Sequence, residues 1–233
     1  MLRRTFLLYS SLARLAAQEK PKRKLDVPYV PSTEAAVKEM LKMAKIQKSD
    51  VLYDLGCGDG RIVIAAAKAH GIRGVGIDID PQRIKEAREN ARVAGVEDLV
   101  RFEEKDLFQA DFREATVVTL FLLPSVNMKL RPKLLAGLKP GTRVVSNTFD
   151  LGDWKAEKEV NLNTYDEAEF TGLSQTFYLW TIPGLCLIRQ RRGGRSRNTL
   201  AFAVRSSRPG GIGRIARRFE SVEAWDAGGF KHF

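Results

Sequence analysis

Acids at the ends of apolar runs, separated by bare glycine backbone, are the residues of this 233-residue chain best placed to do chemistry. The first site is Val51-Leu52-Tyr53-Asp54-Leu55-Gly56-Cys57-Gly58-Asp59-Gly60-Arg61, followed by an Ala-rich amphipathic stretch. Together these predict a buried strand, a tight turn and a helix N-terminus. Glycines carry no Cβ and accept positive φ, so a ligand can lie directly against such a turn. Its spacing narrows the ligand. A dinucleotide loop reads Gly-x-Gly-x-x-Gly, with the third glycine packing helix against strand. Here the order is Asp-x-Gly-x-Gly-x-Gly, and Arg61 stands where that third glycine would be.

A second acid, Asp78, ends the apolar run Val75-Gly76-Ile77, 18 residues after Gly60. A carboxylate about 20 residues beyond the loop can accept hydrogen bonds from ribose hydroxyls. Asp80 competes for the role, but its place just before Pro81 suits a helix cap, because proline fits the first helical turn. A third acid, Asp106, follows the alternating run Val100-Arg101-Phe102-Glu103-Glu104. Ligands of open α/β sheets bind at the carboxyl ends of strands, so all three acids are expected to face one crevice.

At the glycine turn the sequence resembles the class I S-adenosylmethionine (SAM)-dependent methyltransferases, whose first motif has this form. The resemblance implies an α/β fold with a doubly wound, mostly parallel, seven-stranded Rossmann-like sheet, and SAM as cofactor. It implies cofactor contacts from Asp54, Gly56, Gly58, Gly60, Asp78 and Leu123, with Asp106 beside the adenine amino group and Leu107 against the ring. Amino-group methyltransferases acting on adenine or glutamine carry Asn/Asp-Pro-Pro-Tyr/Phe after the fourth strand. This chain has Leu122-Leu123-Pro124-Ser125 there and lacks the amide-binding Asn and the stacking aromatic.

Three flanking segments are similar to a narrower family of seven-strand protein-lysine methyltransferases. They are Tyr29-Val30-Pro31-Ser32, Leu123-Pro124-Ser125-Val126, and Phe149 with Trp154. Mitochondrial members of that family modify the c-ring protein of ATP synthase and the adenine nucleotide translocator, and related proteins occur in bacteria. The resemblance spans residues 26–182 and implies a protein substrate, with membrane proteins among the candidates. A free lysine has a pKa near about 10.4 and must lose a proton before it attacks a methyl group. A low-dielectric channel beside a sulfonium would depress that pKa. On this reading Tyr29, Phe149 and Trp154 line the channel, and Asp150 orients the amine or relays its proton. Tyr29 and Trp154 serve equally well as packing residues. A small-molecule or RNA methyltransferase, or a SAM-fold module without catalysis, remain the alternatives.

The elements that would hold these residues follow from periodicity. After Ser32 a helix is expected to about Lys45, with Val37, Met40, Leu41 and Ala44 on one face. Strands are expected over 51–56, 73–79, 99–105, 115–122 and 142–148, with helices over 60–70, 81–94 and 127–138. This alternation is that of a doubly wound sheet. An antiparallel pair over 157–170 and 175–182 is expected from the resemblance to complete it.

Net charge is +11, which raises the question of nucleic acid. The charge lies at the ends. Residues 1–25 hold seven Lys/Arg and one acid, and residues 189–233 hold eleven and three, leaving 26–188 with 21 Lys/Arg, 24 acids and a net −3. A nucleic-acid partner is therefore not expected for the central domain. Residues 1–25 begin with a basic and short apolar stretch, too short to cross a bilayer, which needs ~20 apolar residues. It reads as a signal peptide, an organelle presequence, a contact with a membrane surface through residues 1–24, or a plain leader. Location thus stays open between cytoplasm, membrane surface and export. Two cysteines and two histidines offer no cluster with metal-ligand spacing, so no metal is expected. From Arg189 the Arg/Gly-rich text is expected to be a disordered tail.

Overall fold

In the computed structural model, residues 29–164, 173–192 and 195–202 are described. The leader over 1–25 and the chain from 203 onward lie outside the described residues. Thirteen elements follow in order: α1 (Glu34–Ala44), β1 (Val51–Leu55), α2 (Arg61–His70), β2 (Arg73–Asp78), α3 (Pro81–Ala94), β3 (Val100–Glu104), β4 (Val117–Leu120), α4 (Pro124–Gly137), β5 (Arg143–Asn147), β6 (Lys158–Thr164), β7 (Leu173–Thr181), β8 (Leu185–Arg192) and β9 (Arg195–Phe202). The first seven strands form one sheet in the order β3-β2-β1-β4-β5-β7-β6. All neighbours from β3 to β5 are parallel, and β7 runs antiparallel between β5 and β6. The strand order reverses beside β1, so its carboxyl end and that of β4 flank the crevice where open α/β sheets take their ligands.

Local chemistry explains the boundaries. Thr33 caps α1 by accepting the Ala36 N–H at 3.2 Å. Asp80 caps α3 by accepting the Gln82 N–H at 2.9 Å, with Pro81 in the first turn. The cap expected of Asp80 is therefore present. The fourth helix starts earlier than its apolar pattern suggested, at Pro124, because proline suits a first helical turn.

Both faces of the sheet are covered, which is why β1 is buried at all five positions. On one face Met40, Val63, Ile84 and Phe102 join Leu52, Val117, Val145 and Phe177. On the other, Leu130 and Leu134 of α4 pack with Tyr53, Leu55, Val118, Val144 and Trp180. Trp180 is fully buried, and its Nε1 donates to the Trp154 carbonyl at 2.7 Å.

Residues 189–192 and 195–202, the described part of the segment expected to be a disordered tail, lie in strands instead, and the rest of that segment lies outside the described residues. Strands β8 and β9 pair antiparallel as a separate two-stranded sheet. The register sets apolar positions opposite one another, Leu185 with Phe202 and Leu187 with Leu200, while the arginines fall at the far end. Composition weighted by arginine and glycine concealed those two short β-forming runs, which flank Gly193-Gly194, a dipeptide that signals a hairpin.

Replacing Trp180 by Ala should cost roughly 3–5 kcal/mol, since a large buried ring and a hydrogen bond are lost together. Urea denaturation of the full chain reads this directly; a change below about 1 kcal/mol would show that this part of the core repacks.

Candidate functional site

The glycine turn between β1 and α2 folds back onto β2. Gly56 N–H and Cys57 N–H both donate to the Ile77 carbonyl, at 2.8 and 3.0 Å, and Gly58 N–H donates to Asp78 Oδ2 at 2.8 Å. Asp78 Oδ1 takes the Asp80 N–H at 3.0 Å. One carboxylate thus ties the loop to the end of β2, and its remaining lone pairs can still accept from a ligand.

A cavity opens over this turn. It is lined from the strand ends by Asp54, Gly56, Gly58, Asp78, Asp106, Leu107, Phe121 and Leu122, and from the N-terminal side by Tyr29, Val30 and Ser32. Asp54 is only 2% exposed, and Thr119 Oγ1 donates to its Oδ1 at 2.8 Å. Burial, reinforced by the charges of Asp78 and Asp59, pushes its pKa up to about 7. Asp106 Oδ1 accepts the Phe108 N–H at 2.8 Å, which leaves its other oxygen for a ligand. Among the described residues, none of Asp54, Asp78 and Asp106 forms a salt bridge.

Tyr29 forms a wall above the loop. Its ring lies so close to Gly58 that a Cβ there would collide with it. The Arg83 guanidinium stacks on the other part of the ring, 4.4 Å from its centroid. Arg61 supplies the second fastening: Nη1 donates to the Ser32 carbonyl at 2.6 Å, while Nε and Nη2 grip Asp59. Burial and the nearby Asp59 raise the Tyr29 pKa, so the hydroxyl stays protonated and is no base.

The structure sets several of the expected residues away from this cavity. Gly60 does not line the cavity; a Cβ there would stand 2.6 Å from Phe102 Cε1 and 2.9 Å from Ala87 Cβ. It therefore does the close helix–strand packing that a dinucleotide loop assigns to the glycine one position later. Leu123 is also absent from the lining, where Phe121 and Leu122 stand instead, because Leu123 caps α4 and packs on the core beneath that helix. Asp150 and Trp154 do not line the cavity either. Asp150 is exposed, and its Oδ1 takes the Gly152 N–H at 3.0 Å. Trp154 tilts against Trp180 with centroids 5.8 Å apart, as a packing residue. Of the four residues expected at the transfer site, Tyr29, Phe149, Asp150 and Trp154, only Tyr29 lines the cavity.

Phe121, Arg61 and Arg83 were missed as cavity residues. The exit of the fourth strand would have revealed Phe121, since it is the first residue beyond Leu120. The spacing marks Arg61 only as the residue in place of a third glycine, and Arg83 looks like an ordinary helix-surface cation.

Fit to SAM is tested by the donor set. The cavity offers carboxylates without cation partners, bare backbone and an apolar wall. SAM presents an ammonium, a sulfonium, two ribose hydroxyls and a flat amino-bearing ring, so each is complementary to what stands there. Fold and site together define a SAM-dependent methyltransferase of the Rossmann-like class. A family profile described as the ANTKMT methyltransferase domain matches residues 54–158. The chain is 44% identical over 157 residues to the protein-lysine N-methyltransferase of Saccharolobus islandicus (strain REY15A), covering 67% of this chain and 94% of that one. The chain belongs to this methyltransferase family.

Two further relatives are also methyltransferases. The adenine nucleotide translocase lysine N-methyltransferase of Mus musculus is 38% identical over 133 residues, which are 57% of this chain and 57% of that relative. The chain thus matches less than two thirds of the length of that vertebrate protein. A solved structure described as an RNA methyltransferase from Salinibacter ruber, in complex with S-adenosyl-L-homocysteine (SAH), is 56% identical with a TM-score of 0.61. It aligns with 66% of this chain and 94% of its own.

Two outcomes are expected. Gly58→Ala should weaken SAM binding by tenfold or more because it displaces Tyr29 over the ligand, with a backbone cost of roughly 1 kcal/mol since φ is +51°. Gly60→Ala should instead cost roughly 1–3 kcal/mol of stability, since φ is +79° and packing is tight. Calorimetry and urea denaturation of both variants separate the two effects; equal losses of binding at equal stability would refute the division. The second outcome concerns pH. The raised pKa of Asp54 means that its neutral form favours the empty fold, a contribution present in acid and lost as pH rises through about 7. A cationic ligand favours the carboxylate, so SAM affinity should fall as pH drops from 7 to 5, with proton release on binding. Titration in two buffers of different ionisation enthalpy reads it; affinity flat across that range would contradict it.

Proposed function

We propose that this protein transfers a methyl group from SAM to a lysine side chain of a protein substrate. The carrying observation is the relationship to a protein-lysine N-methyltransferase that extends over 94% of that relative's length. The mildly acidic central domain, net −3 over residues 26–188, supports it over nucleic acid, whose affinity rests on cationic contacts to phosphate. The strand order supports one direction for the cofactor in this reading. Asp78 at the end of β2 accepts from the ribose hydroxyls, the base lies over the β3 exit at Asp106 and Leu107, and the methionine end lies over β1 and β4 with its ammonium towards Asp54.

Bound SAM supplies a methyl group already activated by its sulfonium, so the acceptor attacks in line and the carbon–sulfur bond breaks as the carbon–nitrogen bond forms. The protein's part is to bind and position. Phe121, Leu122 and Val30 give the acceptor an apolar approach, and Tyr29 closes it above the glycine turn. Desolvation there favours the neutral amine, whose lone pair is the nucleophile. No side chain of the cavity is required as a base, because the transferred group leaves a cationic amine that loses its proton to water.

RNA methylation is the second reading, favoured by the description of the 56% identical Salinibacter ruber protein. Incubating the full chain with labelled SAM and an extract treated or untreated with ribonuclease distinguishes them. The expected result is ribonuclease-resistant label in protein, mapped by mass spectrometry to lysine methyl groups. Label that disappears with ribonuclease would overturn the lysine reading. The same experiment on separated membrane and soluble fractions would show which holds the acceptor.

A further inference from the structure

Lys133 belongs to α4, on the opposite side of the sheet from the helix that follows the glycine turn, yet it reaches the cofactor cavity's edge. Its Nζ donates to the Phe108 carbonyl at 2.8 Å and to the Leu107 carbonyl at 3.2 Å. It also stands 5.1 Å from the centroid of the Phe112 ring. The segment it holds is the turn beyond β3. Within that turn the Asp106 carbonyl accepts from Gln109 N–H and Ala110 N–H, both at 3.0 Å, and the Asp106 side chain accepts from Phe108 N–H. The carbonyls of residues 107 and 108 both accept from the Lys133 ammonium.

Asp106, Leu107 and Phe108 all line the cavity, and Phe108 is 38% exposed. A surface turn with so little cover would fray without an external tie. Three cavity residues in a row thus take their position from one ammonium. A flat ring with an exocyclic amino group needs a carboxylate oxygen in its plane and an apolar side chain on its face, and Asp106 and Leu107 provide them only if the turn is fixed. We propose that Lys133 is the positioning residue of the base-binding subsite, and that its hold on the 106–108 turn sets the enzyme's selectivity for adenine over bases lacking the amino group. This rests on the cofactor orientation given above.

Selectivity can be read apart from stability. The probes are SAH and S-inosylhomocysteine, which carries an oxo group in place of the adenine amino group. Binding of each to the full chain is measured by calorimetry. The wild-type protein should prefer SAH, because a carboxylate accepts from the amino group and repels the oxo group. In Lys133→Met, SAH binding should weaken while binding of the inosyl compound changes little, so that their ratio falls towards one. Lys133→Arg keeps a cationic donor and should retain most of the preference. A Lys133→Gln variant reports on the loss of charge if the Met variant does not fold. A ratio in the Met or Gln variant equal to that of the wild type would overturn the proposal. Wild-type protein that binds neither compound would instead overturn the cofactor orientation on which it rests.

Discussion

The hydrogen bond from Gly58 N–H to Asp78 Oδ2 is the constraint on which the site depends. It joins the two parallel strands beyond the point where their ladder ends, and it turns the loop backbone up into the cavity. With Gly56 and Cys57 both bonded to the Ile77 carbonyl, the loop has no freedom to relax away from a ligand. The same closeness brings Asp54, Asp59 and Asp78 near one another, and their mutual repulsion falls on the most buried of them. Arg61 neutralises Asp59. Among the described residues no cation pairs with Asp54, and its burial raises its pKa. The cost of that burial is offset only when a cation enters.

From this junction the rest of the architecture follows. The parallel pairing of β1 with β2 and β4 places three strand exits side by side, and the helices fill both faces so that the strands stay dry. Segment 29–32 is then held above the crevice by two arginines from different helices, Arg61 and Arg83, rather than by its own secondary structure.

Much of the fold was legible because β1, β2 and β4 are short apolar runs punctuated by glycine or acid, and because Asp80-Pro81 announces a helix. The carboxylates of the cavity were legible for the same reason: each lies at or close to the end of a strand. Gly60 shows the limit of spacing. Its residue type and position mark it as a loop glycine, but only the tertiary neighbours Phe102 and Ala87 reveal which side of the loop it serves. Asp150 and Trp154 failed for a related reason. Their segment is pinned by side chains of α4, with Asn127 Nδ2 donating to the Asp150 carbonyl at 3.1 Å and Arg131 to the Leu151 carbonyl at 2.9 Å, and no local pattern encodes those ties. Lys133 was equally silent, one cation among many on a helix surface. In the β8–β9 pair, average composition outweighed short local alternation.

The central claim is that the strand ends of β1, β2 and β3 hold SAM in one orientation, with the base over β3. A crystal structure of the full chain with SAH tests it most directly. The account predicts ribose hydroxyls on Asp78, the adenine amino group on Asp106 and the homocysteine ammonium towards Asp54. SAH bound with its base over β1 and β4, or anywhere outside this crevice, would contradict it.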